Sequence, residues 1–212
     1  MILPAPPILV ITDRRMADKP LTDIIAAALR GGARWFLLRE PDLPAAARLS
    51  VTTSLAALCA PYGARLSVSA DLTTAAAVQT TGIHLPQRMA QPETVAAART
   101  QLGLDALIGV SAHSRAEAMA AQNAGADYVT LSPVFLTDSK PGYGPALGPD
   151  GFRSMTADLD IPAVALGGIA AETISSVRSA GAAGVAVMGG VMRADDPETS
   201  VSGLISAWEN GF

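Results

Sequence analysis

Aromatic side chains make up only 4% of this 212-residue chain, cysteine occurs once, and no run of basic residues is present. Each shortage excludes something. Half of the residues are apolar, enough for one domain over residues 1–212 with a substantial core. With so few rings, that core must be built in layers from small and branched aliphatic side chains, which favours α/β architecture. Cys59 has no partner for an internal disulfide, and its AALCA setting reads as a helix interior holding an inert, buried thiol. Fifteen basic residues against nineteen acidic ones leave a net charge of −4, so the electrostatic footprint of a nucleic-acid partner is missing. Mean hydropathy is positive, yet no uninterrupted apolar stretch reaches the roughly 18–20 residues of a spanning helix, and no membrane association is expected. The opening MILPAPPILVITDRR has neither the basic start nor the small-residue cleavage site of an export signal, which predicts a cytoplasmic protein. No zinc-spaced His/Cys/Asp cluster, Ser-His-Asp set or Walker loop can be assembled, so chemistry without a metal or cofactor is the expectation.

What is abundant is a repeated alternation. Eight short apolar runs recur: ILVITD (8–13), WFLLRE (35–40), RLSVS (65–69), GIHLP (82–86), LIGVSA (107–112), YVTLSP (128–133), AVALGG (163–168) and GVAVMG (184–189). Between them lie Ala-rich stretches with helical periodicity, long enough to cross back over a sheet, so the strands should be parallel. Eight such units in this length predict a closed (β/α)8 barrel, a TIM barrel, with a last helix over about 197–209 covering the final strand. An open doubly wound sheet is the alternative. Boundary signals accompany the helices: Thr22 and Ser114 as N-caps, Pro92 and Pro197 in first turns, Gly125 and Gly181 after helical runs. The longest stretch without periodicity is FLTDSKPGYGPALGPDG after the sixth strand. A long loop in such a domain is a first candidate for function.

In a barrel of this kind chemistry sits at the C-terminal ends of the strands. The paired glycines Gly167-Gly168 and Gly189-Gly190 close strands seven and eight, each ahead of a helical stretch. There backbone N–H groups and a positive helix end can hold a phosphate, although glycine at a strand end also serves ordinary tight turns. Lys140, with Thr137 and Ser139 on the long loop, has the character of a mobile clamp for a second anion. His113 is the candidate general acid/base, because its ordinary pKa lies near neutrality, while a structural hydrogen-bonding role stays open. His84 stands before its strand's end and admits either ligand contact or packing. Arg39 offers a planar fork for phosphate or carboxylate. Glu40 beside it should alternate outward and pair with a helix residue.

WFLLRE, GIHLPQ, IGVSAHSRAEA, GADYVTLSPVFLTDSK, AVALGGI and GVAVMGGVMRADDP resemble successive signatures of thiamine-phosphate synthases and their thiazole tautomerase relatives, over nearly the whole chain. The resemblance implies a (β/α)8 barrel that binds a thiazole phosphate. It implies phosphate contacts at Gly167, Gly168, Met188 and Gly189, a pyrophosphate grip at Thr137, Ser139 and Lys140, and further anion contacts at Arg39 and Ser111. Against the synthase patterns QLREK, NDR and HLGQED, this chain has Leu37 and Pro41, then Ser69-Ala70-Asp71, then Met89. Both carboxylates that hold Mg2+ in the synthases are thereby displaced, with Asp71 a weak metal candidate through a one-residue shift. Tautomerases need no Mg2+, and their SxHS histidine resembles His113. The leading expectation is therefore thiazole tautomerase-like proton transfer with His113 as the catalytic residue. The alternatives are a divergent synthase coupling hydroxymethylpyrimidine pyrophosphate to thiazole phosphate with Mg2+, and a non-catalytic thiazole- or thiamine-phosphate binding protein. The implied partner is a small phosphorylated ligand, and the apolar composition is compatible with a homodimer.

Overall fold

The structure is a computed structural model and describes residues 2–137 and 145–211. Eight parallel strands pair in chain order and close between first and last. They are β1 (Ile8–Ile11), β2 (Trp35–Leu38), β3 (Arg65–Ser69), β4 (Gly82–Leu85), β5 (Leu107–Ala112), β6 (Tyr128–Leu131), β7 (Ala163–Leu166) and β8 (Gly184–Val187). The open-sheet alternative is thus excluded, and the fold is a TIM barrel. Six of the eight apolar runs overshoot the strands at their C-terminal ends by one or two residues. There the chain leaves the ladder for the loops that form the barrel mouth, and the residues become polar or turn-forming, such as Thr12-Asp13, Arg39-Glu40 and Gly167-Gly168.

Side-chain alternation divides the core in two. Leu9, Ile11, Trp35, Leu37, Leu107 and Tyr128 are among those that fill the barrel, with Trp35 and Tyr128 in edge-to-face contact at 4.9 Å between centroids. Ile8, Val10, Phe36 and Leu38 face the other way, into the layer beneath the helices. That layer is covered by α1 (Leu21–Arg30), α2 (Ala45–Cys59), α3 (Leu72–Val78), α4 (Pro92–Leu102), α5 (Arg115–Asn123), α6 (Gly148–Thr156), α7 (Ala171–Ser179), the short α8 (Gly189–Met192) and α9 (Pro197–Asn210).

The local signals behave unevenly. Ser114 caps α5 by accepting from the Glu117 N–H, and Pro92 and Pro197 open α4 and α9. Gly125 and Gly181 take positive φ just after α5 and α7. Thr22, in contrast, is not a cap: α1 starts one residue earlier at Leu21, with Pro20 at the cap position. Proline's fixed φ ends the preceding extended segment, so a threonine two residues on is already helical.

Cys59 is buried at the end of α2, and burial pushes its thiol up to about 12. Because the thiolate is the reactive form, a disulfide reagent should label Cys59 only as the chain unfolds, with a labelling midpoint that coincides with the circular-dichroism midpoint in urea. Rapid labelling of native protein would contradict this burial.

Candidate functional site

The C-terminal ends of the strands open on a cavity with two lobes. One, of about 290 Å³, lies over β7 and β8 and is walled by Gly167, Gly168, Met188, Gly189 and Arg193, with Thr137 at its side. The other, of about 360 Å³, is walled by Ser69, His84, Gln87, Arg88, Ser111 and His113 from the ends of β3, β4 and β5. Ile11, Arg39, Ser132 and Leu166 line both lobes and form the passage between them.

Glycine is required in the first lobe on backbone grounds. Gly167 and Gly168 have φ of 101° and 62°. A Cβ on Gly168 would stand 2.5 Å from the Leu136 carbonyl oxygen. The loop after β6 is held against this pair, as Val134 N–H donates to the Leu166 carbonyl and Phe135 N–H to that of Gly167. Gly189 and Gly190 are the first residues of α8, where N–H groups precede any intrahelical acceptor. A Cβ on Gly189 would meet the Arg193 guanidinium at 2.3 Å, so the missing side chain lets that cation lie over the turn. The combination of unpaired N–H groups and a guanidinium suits a phosphate.

In the second lobe the two histidines differ. His84 points into the barrel and is buried, with Nδ1 3.1 Å from the Tyr128 hydroxyl and Nε2 3.0 Å from Ser111 Oγ. Desolvation holds its pKa down at about 4, so the ring is neutral at pH 7. Gly109 makes this possible, since a Cβ there would overlap the Tyr128 ring at 2.1 Å and His84 Nδ1 at 2.5 Å. His84 thus sets the direction of Ser111 Oγ while packing the interior. His113 stands at the mouth just past β5. Its backbone N–H donates to Glu117 Oε2 at 2.7 Å, and Glu117 is itself tied to the Ser114 cap. Its Nδ1 lies 3.0 Å from the Ser132 carbonyl oxygen. Ser132 Oγ lies 3.3 Å from the same nitrogen, so Ser132 holds the ring in place at the mouth.

The acids at the mouth are committed elsewhere. Glu40 does not alternate outward: it is buried and accepts from Thr12 Oγ1 at 2.8 Å, from the Arg14 N–H at 3.0 Å and from the Arg14 guanidinium at 3.1 Å. Residue 40 lies beyond the end of β2, where strand alternation no longer dictates direction and the donors of the neighbouring β1 exit do. Asp13 is held below the usual carboxylate range by its hydrogen bond from Arg15. Asp71, the weak metal candidate, caps α3 instead. It accepts from the Thr74 N–H at 2.9 Å, from Thr74 Oγ1 at 2.7 Å and from Arg48 at 2.6 Å, so both oxygens are engaged in capping and in the Arg48 ion pair. Met89 packs against the apolar core, and among the described residues no three His, Cys, Asp or Glu side chains converge. The donor set of the described residues does not fit Mg2+.

Of the residues singled out in the sequence, Arg39, His84, Ser111, His113, Thr137, Gly167, Gly168, Met188 and Gly189 line the cavity. Ser139 and Lys140 lie outside the described residues. Sequence reasoning missed Arg88, one turn past the end of β4, Arg193, which follows the short α8, and Gly109 and Tyr128 beneath the floor. A cation placed one helical turn after the Gly189-Gly190 pair was the available signal for Arg193.

Fold and cavity together define a (β/α)8 barrel with a phosphate-type glycine lobe and a second polar lobe at one mouth. The chain belongs to the thiamine monophosphate synthase family, whose model matches residues 8–191. A putative thiamine-phosphate synthase of Geobacter sulfurreducens is 39% identical over 197 residues, covering 92% of this chain and 91% of that one. A thiamine biosynthesis bifunctional protein of Symbiobacterium thermophilum is 40% identical over 183 residues, 86% of this chain but 38% of that longer protein. Among solved structures, thiamine phosphate pyrophosphorylase from Pyrococcus furiosus superposes with a TM-score of 0.84 at 31% identity, covering 97% and 96% of the two chains. The names of these relatives favour synthase over the tautomerase that the sequence reading placed first.

Proposed function

We propose that this protein acts in thiamine biosynthesis as a divergent thiamine-phosphate synthase, joining a hydroxymethylpyrimidine diphosphate to a thiazole phosphate. The observation that carries this reading is the two-lobed mouth with arginine in both halves, because a coupling enzyme must hold two anionic substrates side by side and an isomerase only one. In this reading Gly167, Gly168, Gly189 and Arg193 hold the thiazole phosphate. The pyrimidine diphosphate occupies the lobe of Ser111, His113 and Arg88, with Arg39 between the two. The pyrimidine-methyl carbon loses its bond to diphosphate and gains one to the thiazole nitrogen. Ile11 and Leu166 at the passage exclude water from that carbon, and Arg39 takes up negative charge as the diphosphate departs.

One observation favours a second reading, thiazole tautomerase-like proton transfer. His113 is held at the mouth by Ser132, with Nδ1 3.0 Å from its carbonyl oxygen, which positions an imidazole for proton transfer, and such a step needs no metal. A single assay separates the two. Purified protein is given both synthase substrates, with and without Mg2+, and separately the thiazole carboxylate phosphate tautomer, with products followed by mass spectrometry. Thiamine phosphate is the expected product. Isomerisation without coupling would overturn the synthase reading, and His113→Ala should then slow isomerisation by about 10²–10⁴-fold.

A further inference from the structure

We propose that the second lobe binds its diphosphate without a divalent cation, on the guanidinium groups of Arg88 and Arg39. The inference deepens the coupling reading and rests on it for the identity of the ligand, but its test does not depend on turnover.

Three arginines stand out by their lack of a close partner. Arg88 makes no hydrogen bond or ion pair among the described residues, Arg193 reaches only Met16 Sδ at 3.5 Å, and Arg39 reaches Asp13 at 4.0 Å. Every other arginine among the described residues is held by a carboxylate or by backbone carbonyls. All three line the two-lobed cavity. Guanidinium groups gathered at one mouth, two without a carboxylate partner among the described residues and one only loosely paired with Asp13, mark the place where an anion is taken up.

Within the second lobe the chemistry is one-sided. Among the described residues its wall carries Arg39, Arg88, two histidines, three serines and Gln87, and no Asp or Glu. A divalent cation entering ahead of a ligand would meet like charge and no anionic oxygen, whereas a diphosphate would meet two planar forks and several neutral donors. The turn Gln87–Met89 after β4 accounts for the arrangement. Met89 packs against the apolar core, while Arg88 beside it lines the lobe. An arginine next to a core methionine thus occupies the strand end where the related synthases place acids. The charge a metal would supply comes from side chains. Atoms and protons are unchanged by this substitution, since only the neutralising cation differs.

The test is isothermal titration calorimetry with inorganic pyrophosphate, in EDTA and again with Mg2+ in excess. Pyrophosphate should bind in EDTA at least as tightly as with Mg2+. Arg88→Ala, at an exposed position that should not disturb folding, should weaken binding about 10- to 100-fold, the loss expected for charge-assisted hydrogen bonds. Arg153→Ala, on α6 outside both lobes and paired with Asp150, should leave pyrophosphate binding unchanged. Binding that requires Mg2+ would overturn the inference, as would a loss on Arg193→Ala with Arg88→Ala silent. Metal-free binding without any coupling would remove the proposed function and leave this site standing. Pyrophosphate binding that requires Mg2+, together with coupling, would do the reverse.

Discussion

Gly168→Ala is expected to lower kcat/KM by about a hundredfold or more, through loss of roughly 3 kcal/mol of phosphate binding, and to lower the melting temperature by roughly 10 °C. Two independent causes act at this position. Its φ of 62° is left-handed, which costs an alanine about 1–2 kcal/mol. The new Cβ would also stand 2.5 Å from the Leu136 carbonyl oxygen and 2.7 Å from Phe135 Cβ. Neither contact is the free end of a flexible side chain, so the loop after β6 must move, at a further cost of about 1–3 kcal/mol. That loop pairs with Gly167 and carries Thr137 toward the cavity, and its displacement opens the phosphate lobe. Gly190→Ala is the control. A Cβ there meets nothing within 4 Å, and the position is helical, so stability should hold or rise by about 0.5 kcal/mol. Calorimetry and steady-state kinetics on the two variants check the pair. Equal melting temperatures would show that the glycine conformation at 168 is not needed.

The second large effect is an acid limb of stability set by His84. Its folded pKa, about 4, lies below the ordinary value of 6.5 because burial disfavours the charged ring. Between those two pH values the unfolded chain binds a proton that the folded chain does not. Stability is therefore full above about 6.5, falls as pH drops toward 4 and loses nothing further from this group below that. The amplitude is about 3 kcal/mol, at 1.36 kcal/mol for each unit of separation. Asp13 and Asp71, both held below their ordinary 3.8, contribute only at lower pH, so the window from 6.5 to 4 belongs to the histidine. Urea unfolding across this range should show the slope, and His84→Gln should flatten it whatever it does to the plateau. A slope that survives the substitution would mean that His84 is not the titrating group. The same variant removes the partner of Ser111 Oγ, so weaker ligand binding in the second lobe should accompany the flattened limb.

These two residues also show where sequence reading works and where it stops. The glycine pair was legible because a strand-end Gly-Gly before a helix has a local backbone meaning. So were Ser114, Pro92 and Pro197, whose capping or N1 geometry involves neighbours only three or four residues away. His84 was not, since its direction depends on Gly109 and Tyr128, which lie 25 and 44 positions along and reach it only when β4, β5 and β6 are side by side. Glu40 was misread for the same reason, as its donors, Thr12 and Arg14, come from another strand's exit. Asp71 could be named as a carboxylate near a strand end, but its commitment to Thr74 and to Arg48 on α2 depends on packing of α2 against α3.

By itself the sequence determined the alternation of eight strands with helices, the aliphatic core and the glycine turns, because each is a property of composition, period or adjacent residues, while the departures at 70 and 89 are what its resemblance to the synthases implies. Only the tertiary structure decided that one mouth has two lobes joined at Arg39, that Arg88 and Arg193 stand there without close partners among the described residues, and that Asp13, Glu40 and Asp71 are spent on arginines and caps. Those facts depend on which strand ends become neighbours and which long side chains find a partner across them, and closure of the barrel sets both.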